Sequence, residues 1–148
     1  MKTHQLRGLA VTGFVAALAA MATTSLVAAL ARGVGVDFEV SDGETIPVSG
    51  IAFVTGVFSL VGVVMAAALL RWSARPAERF VWTAVSLTAI SLVPPLLAGA
   101  NAATSSTLIG LHLVAAAVMI PTLARSLGRL NHVDARSVPA QRGADVTN

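Results

Sequence analysis

Four apolar segments, about Leu9–Ala31, Val48–Leu70, Phe80–Gly99 and Thr104–Leu123, are separated by short polar stretches whose charges alternate in sign. Each approaches the roughly 20 residues that an α-helix needs to cross a hydrocarbon core of about 30 Å. That length sets the fold class: all-α, with four membrane crossings. Hydrophobic residues make up 55% of the chain and charged residues 11%. A soluble domain of this size would carry more apolar surface than one core could hide, so lipid must cover the excess.

The charges supply an orientation. Lys2 and Arg7 precede the first segment, Arg71, Arg75 and Arg79 fill the second connection, and Arg125, Arg129, Arg136 and Arg142 follow the fourth. The positive-inside bias places these three regions in the cytoplasm. Asp37, Glu39, Asp42 and Glu44 face a single Arg32 in the first connection, and the last connection is uncharged, so both are expected outside. The chain thus reads as a plasma-membrane protein with cytoplasmic N- and C-termini. Trp72 and Trp82 flank the inner boundary, where indoles prefer the headgroup region. The arginines sit beside helix ends and form no basic stripe interleaved with aromatics, which argues against a nucleic-acid partner. Absence of cysteine removes disulfides, thiolate metal sites and thiol exchange. Leu9–Ala31 is too long for the hydrophobic region of a secretory signal and reads as an uncleaved helix.

Between the first two segments, Val34, Val36, Phe38 and Val40 alternate with polar or small residues, then Ser41-Asp42-Gly43-Glu44 signals a turn. This period-two pattern predicts a short extracellular β-hairpin-like loop. In the second helix Thr55, Ser59, Gly62 and Ala66 place small side chains on one face, a stripe suited to close packing in lipid and expected to depend on Gly62. Gly13, Ala17, Ala20 and Thr24 do the same on the first. Pro94-Pro95 is expected to end or kink the third helix, freeing the carbonyls of Ile90 and Ser91, and Pro121 to act likewise in the fourth. Short connections favour an up-down four-helix bundle over residues 1–127, followed by a flexible cytoplasmic tail, 128–148.

Val36-Asp37-Phe38-Glu39, Ile46-Pro47, Thr55-Gly56-Val57-Phe58-Ser59, Arg75-Pro76, Ser91-Leu92-Val93-Pro94, Ala103-Thr104, His112 and Pro121 together give the chain a familiar pattern. It resembles a family of small actinobacterial four-helix membrane proteins catalogued as domain of unknown function 6069, over roughly Leu9 to Leu127. The resemblance implies the four-helix fold and a plasma-membrane location. It carries no established activity and transfers no catalytic residue.

His112 is the one ionisable residue well inside a span, and intramembrane polar groups face bundle interiors or functional cavities. It is a ligand or proton-relay candidate, with Ser86, Thr88 and Ser91 of the third helix as expected neighbours. The plainer reading is a neutral imidazole bonded to a hydroxyl or a freed carbonyl of another helix. The spacing of Asp37, Glu39, Asp42 and Glu44 does not match a calcium loop, so they read as a solvated acidic loop, with Arg32 paired to one of them. Asn101, Thr104, Ser105, Ser106 and Thr107 read as caps for the fourth helix.

No nucleophile–base set, metal-ligand cluster, cofactor motif or intramembrane carboxylate is present in the sequence. The leading reading is therefore a non-enzymatic structural or accessory subunit of the cell envelope, without metal or cofactor. Its partners are the lipid bilayer and either a second copy or another membrane protein. The alternatives are an oligomeric small-molecule or ion transport protein, or a His112-dependent cofactor-binding membrane protein.

Overall fold

The computed structural model describes residues 2–40, 43–97 and 99–144, with side chains described for 3–40, 43–97 and 99–130. Five helices follow in order among the described residues: α1 Lys2–Gly33, α2 Val48–Trp72, α3 Pro76–Ser91, α4 Val93–Leu97 and α5 Ala102–Ala144. Among the described residues four stretches are long and apolar enough to cross a membrane: Thr3–Gly33, Val48–Trp72, Pro76–Leu97 and Ala102–Leu130. They mark a multi-pass membrane protein. Most large side chains on these stretches face outward, Phe14, Leu18, Phe53, Phe58, Leu60 and Ile90 among them. Bilayer lipid is the environment that such a surface requires.

The contacts define an up-down bundle. Gly13 of α1 lies against Val63 of α2, and Met21 against Gly56, so the two helices are antiparallel. Gly62 of α2 lies against Met119 of α5. Ile51 shares a cluster with Leu111, so α2 and α5 run in the same direction. Helix α1 packs on α2 and α5, and α3 packs on the same two, which leaves α1 and α3 on opposite corners.

Local sequence explains the ends. Helix α1 stops in a Schellman arrangement: Val36 N–H donates to the Ala31 carbonyl at 3.0 Å and Gly35 N–H to the Arg32 carbonyl at 3.0 Å. Gly35 sits at φ 95°, a conformation open to a residue without Cβ. Helix α3 starts with Pro76, whose missing N–H would be an orphan there in any case. The Pro94-Pro95 pair does more than kink a helix. Helix α3 ends at Ser91, and both prolines fall in the first turn of α4, where amide donors have no intrahelical partner. The Leu92 N–H meets the Ala89 and Ile90 carbonyls, which supplies Ile90 with a donor.

Two features differ from the sequence reading. Pro121 does not end α5, which runs through it as helical backbone to Ala144; residues 145–148 lie outside the described residues. Tertiary packing of Met119, Leu123 and Leu127 on the other helices holds α5 on course through the one lost hydrogen bond. The β-hairpin is absent among the described residues: Glu39 and Thr45 form a single antiparallel bridge, with no strand. Phe38 breaks the extended run by adopting φ 56° and turning its ring into the bundle.

Candidate functional site

The segment between α1 and α2 folds back over one end of the bundle, and each of its anchors is a named side chain. Phe38 is fully buried, clustered with Ala28, Ile51 and Leu111. Among the described residues Arg32 pairs with no carboxylate. Its Nη2 donates to the Ile46 carbonyl at 2.8 Å, and its guanidinium carbon stands 5.7 Å from the centre of the Phe38 ring. One arginine thereby ties the start of the segment to its end and covers the aromatic plug. Backbone bonds from Val40 to Glu44 and from Ile46 to Phe38 close the loop.

The same segment is joined to α5. Asn101 caps that helix, its Oδ1 accepting from Thr104 N–H at 2.8 Å. Buried Thr104 then donates its hydroxyl to Asp37 Oδ1 at 3.3 Å. Asp37 also accepts from Glu39 N–H at 3.3 Å. The Glu39 amide foremost, then Asp37's own amide and the Thr104 and Asn101 side chains, hold the Asp37 carboxyl below its ordinary value of 3.8 against a weaker opposing effect of burial. Of the predicted acidic loop, Asp37, Glu39 and Glu44 are exposed, and Asp42 lies outside the described residues. No group of three or more His, Cys, Asp or Glu among the described residues is placed to hold a metal ion. The hydroxyls of Ser105, Ser106 and Thr107 donate to carbonyls of residues 100 and 103, so Asn101 alone of the expected set caps α5 with its side chain.

His112 is half-buried and bonds within its own helix: Nδ1 lies 2.8 Å from the Leu108 carbonyl. A carbonyl only accepts, so Nδ1 carries the proton and Nε2 presents a lone pair when the ring is neutral. The neighbours expected from α3 are likewise occupied locally. Thr88 donates to Ala84, Ser91 donates to Thr88, and Ser86 is exposed. No hydrogen bond joins His112 to any of the three.

The small-residue face of α2 does look inward. Ala66 is fully buried, Ser59 is 5% exposed, and the Thr55 hydroxyl meets that of buried Thr24 on α1 at 3.3 Å. The tightest approaches lie elsewhere, at Gly13 and Gly56. A Cβ on Gly13 would stand 2.6 Å from Val63, and one on Gly56 2.9 Å from the Met21 sulfur. A Cβ on Gly62 would stand 3.9 Å from the nearest atom, the Met119 methyl.

Sequence reasoning missed Phe38 as a plug and the link between Asp37 and Thr104. The available signals were a phenyl ring set between two carboxylates and the one threonine positioned at the third residue after Asn101. At the opposite end of the bundle Arg7, Arg71, Arg75, Arg79, Arg125 and Arg129 are all exposed, as are Trp72 and Trp82. Arg75 pairs with Glu78 at 3.4 Å, an exposed contact of little energetic weight.

Residues 4–129 match the model of a family of unknown function, DUF6069. No curated protein matches the chain, and no solved structure does.

Proposed function

The chain belongs to the DUF6069 family, and we propose that it is a non-enzymatic structural or accessory subunit of the cell envelope, acting through its surfaces. The observation that carries this reading is the closed, latched end of the bundle. Phe38 fills the opening, Arg32 and Asp37 fasten the segment that bears it, and the hydroxyls of Thr88, Ser91 and Thr122 are spent on carbonyls of their own helices. What remains for interaction is the outward apolar face of the four helices, suited to lipid and to a second copy or another membrane protein.

In this reading both termini lie in the cytoplasm of a plasma-membrane protein, because the exposed arginines gather at one end and the acidic segment at the other. Single-cysteine labelling is clean, since the native chain has no cysteine. An impermeant reagent applied to intact cells is expected to modify cysteine at Glu44 or Ala102 and not at Ala74; labelling at Ala74 would reverse the orientation. Native mass spectrometry and a visible absorption spectrum of the purified protein test the rest. Chain masses, alone or assembled, with phospholipid adducts are expected, and a stoichiometric redox cofactor would overturn the non-enzymatic reading.

A further inference from the structure

The arginine-bearing end of the bundle is unbalanced in charge. Among the described residues it shows six exposed arginines against one exposed carboxylate, Glu78. Arg75 takes that carboxylate at 3.4 Å, and none of the other five makes an ion pair or side-chain hydrogen bond with a described residue. At the far end the single Arg32 is already held by a carbonyl and a ring. Five guanidinium groups at one end are therefore open to an external anion.

Helix geometry sets these groups above lipid-facing side chains. On α3, Arg79, Trp82 and Ile90 fall on one face by the 3.6-residue period, and all three are exposed, while Pro76 and Phe80 are buried. Arg75 stands one turn above Arg79, whose N–H donates to the Arg75 carbonyl at 3.2 Å. On α5, which packs against α3, Arg125 and Arg129 lie four residues apart and exposed, while Leu123 and Leu127 turn inward.

Depth fits the headgroup layer. Arg71 and Arg125 each stand twenty-three residues past the start of α2 and α5, where the apolar stretches of those helices begin. At 1.5 Å per residue that is about 34 Å, beyond a hydrocarbon core of about 30 Å and inside the roughly 40–45 Å that includes the headgroups. The chain's two tryptophans, Trp72 and Trp82, belong to the same end and are 77% and 69% exposed. A phospholipid has the matching profile, with acyl chains along the apolar face and a phosphate among guanidinium groups that can hold it bidentately. An acidic protein would match the charge but not the apolar face beneath it.

We propose that this end of the bundle, with Arg75, Arg79, Arg125 and Arg129 foremost, selects anionic phospholipid from the surrounding bilayer. A zwitterionic headgroup brings its own cation to compete with the guanidinium groups for the phosphate, and an anionic one brings none. The proposal rests on the four membrane crossings and not on the structural-subunit reading, since any protein embedded this way presents the same surface.

The tryptophans report on it directly. The full chain is reconstituted into symmetric phosphatidylcholine vesicles in which a fixed fraction of the lipid is replaced by acyl-brominated phosphatidylglycerol or by acyl-brominated phosphatidylcholine, and the quenching of tryptophan fluorescence is compared. Both tryptophans lie at the arginine end, so the direction of insertion does not matter. Brominated phosphatidylglycerol is expected to quench as though enriched about threefold or more beside the protein. Equal quenching by the two lipids would overturn the proposal and leave an acidic protein as the counter-charge. Absence of quenching by either would overturn the membrane crossings, and the proposal with them. Replacing Arg75, Arg79, Arg125 and Arg129 together by glutamine should bring the two lipids to parity, and a folded quadruple variant that keeps the full preference would refute the role of these four. The wild-type comparison decides by itself should that variant misfold.

Discussion

The hydroxyl of Thr104, a buried residue in the first turn of α5, donates to the carboxylate of Asp37, a residue distant in sequence on the segment between α1 and α2. Asn101 prepares this contact by capping α5 through the amide of the same threonine. A helix cap and a loop anchor are thus one structure: the cap fixes the first turn, and the fixed turn presents the hydroxyl.

Acid should release this anchor in a defined window. A carboxyl held below its ordinary value contributes stability that is fully present above the unfolded-state pKa and lost as pH falls through the folded-state pKa. For Asp37 the ordinary value is 3.8 and the shift is downward, so the loss begins near that pH and lies mostly below it. Thermal unfolding in detergent is expected to show wild type above Asp37→Asn at pH 7, with the gap narrowing as the pH is taken below 3.8. A gap that holds constant into strong acid would show that the ionised carboxylate is not the favoured partner.

Packing between α1 and α2 should be most sensitive at Gly13. A methyl there would meet both branches of Val63, a stiff β-branched side chain, at 2.6 and 2.9 Å. Gly13→Ala is expected to destabilise the bundle by about 1–3 kcal/mol through overpacking. Gly56→Ala meets a flexible methionine and should cost less, while Gly62→Ala has ordinary contact distance and should be neutral or stabilising. Midpoints of unfolding in a mixed detergent series would rank the three, and Gly62 proving the most sensitive would contradict the packing described.

Arg32 should be replaceable only in part by lysine. The guanidinium reaches the Ile46 carbonyl while standing over Phe38, and a lysine ammonium is a point donor that does not stack as a plane. Arg32→Met, which keeps an apolar stem, is expected to lose about 1–2 kcal/mol from the charged hydrogen bond and ring contact together. Arg32→Lys should fall between. Faster amide exchange at Ile46 in the order wild type, lysine, methionine would bear this out, and equal exchange rates would remove Arg32 from the latch.

The four crossings were legible because lipid imposes one length and one polarity on every spanning helix, and nothing in tertiary structure can relax that demand. Proline at 94 and 95 was legible as an interruption for the same reason: a missing donor is a local fact. The segment 34–47 was misread as a hairpin because alternation in Val34, Val36, Phe38 and Val40 signals a buried face without saying what buries it. The burying partner is the bundle end, and Phe38 reaches it by leaving the extended region. Pro121 misled in the opposite sense, since packing on both sides of it carried α5 onward. For His112 the sequence indicated depth but not partner: an i−4 carbonyl on its own helix is always within reach, and that is where Nδ1 goes.

Phe38 offers the sharpest test, because two substitutions that remove the same ring should differ in an unusual order. The side chain is fully buried, so truncation to alanine leaves a cavity and is expected to cost about 3–5 kcal/mol. The backbone at this position has φ 56°, the left-handed region, where a Cβ carries a penalty of roughly 1–2 kcal/mol. Glycine leaves nearly the same cavity without that penalty. Phe38→Gly should therefore be more stable than Phe38→Ala by about 1 kcal/mol, part of the gain being offset by the greater freedom of glycine in the unfolded chain. Leucine at 38 should retain most of the plug and rank above both. Thermal midpoints of the three variants in one detergent would check the order, and alanine proving more stable than glycine would mean that the segment relaxes out of the left-handed conformation once the ring is gone.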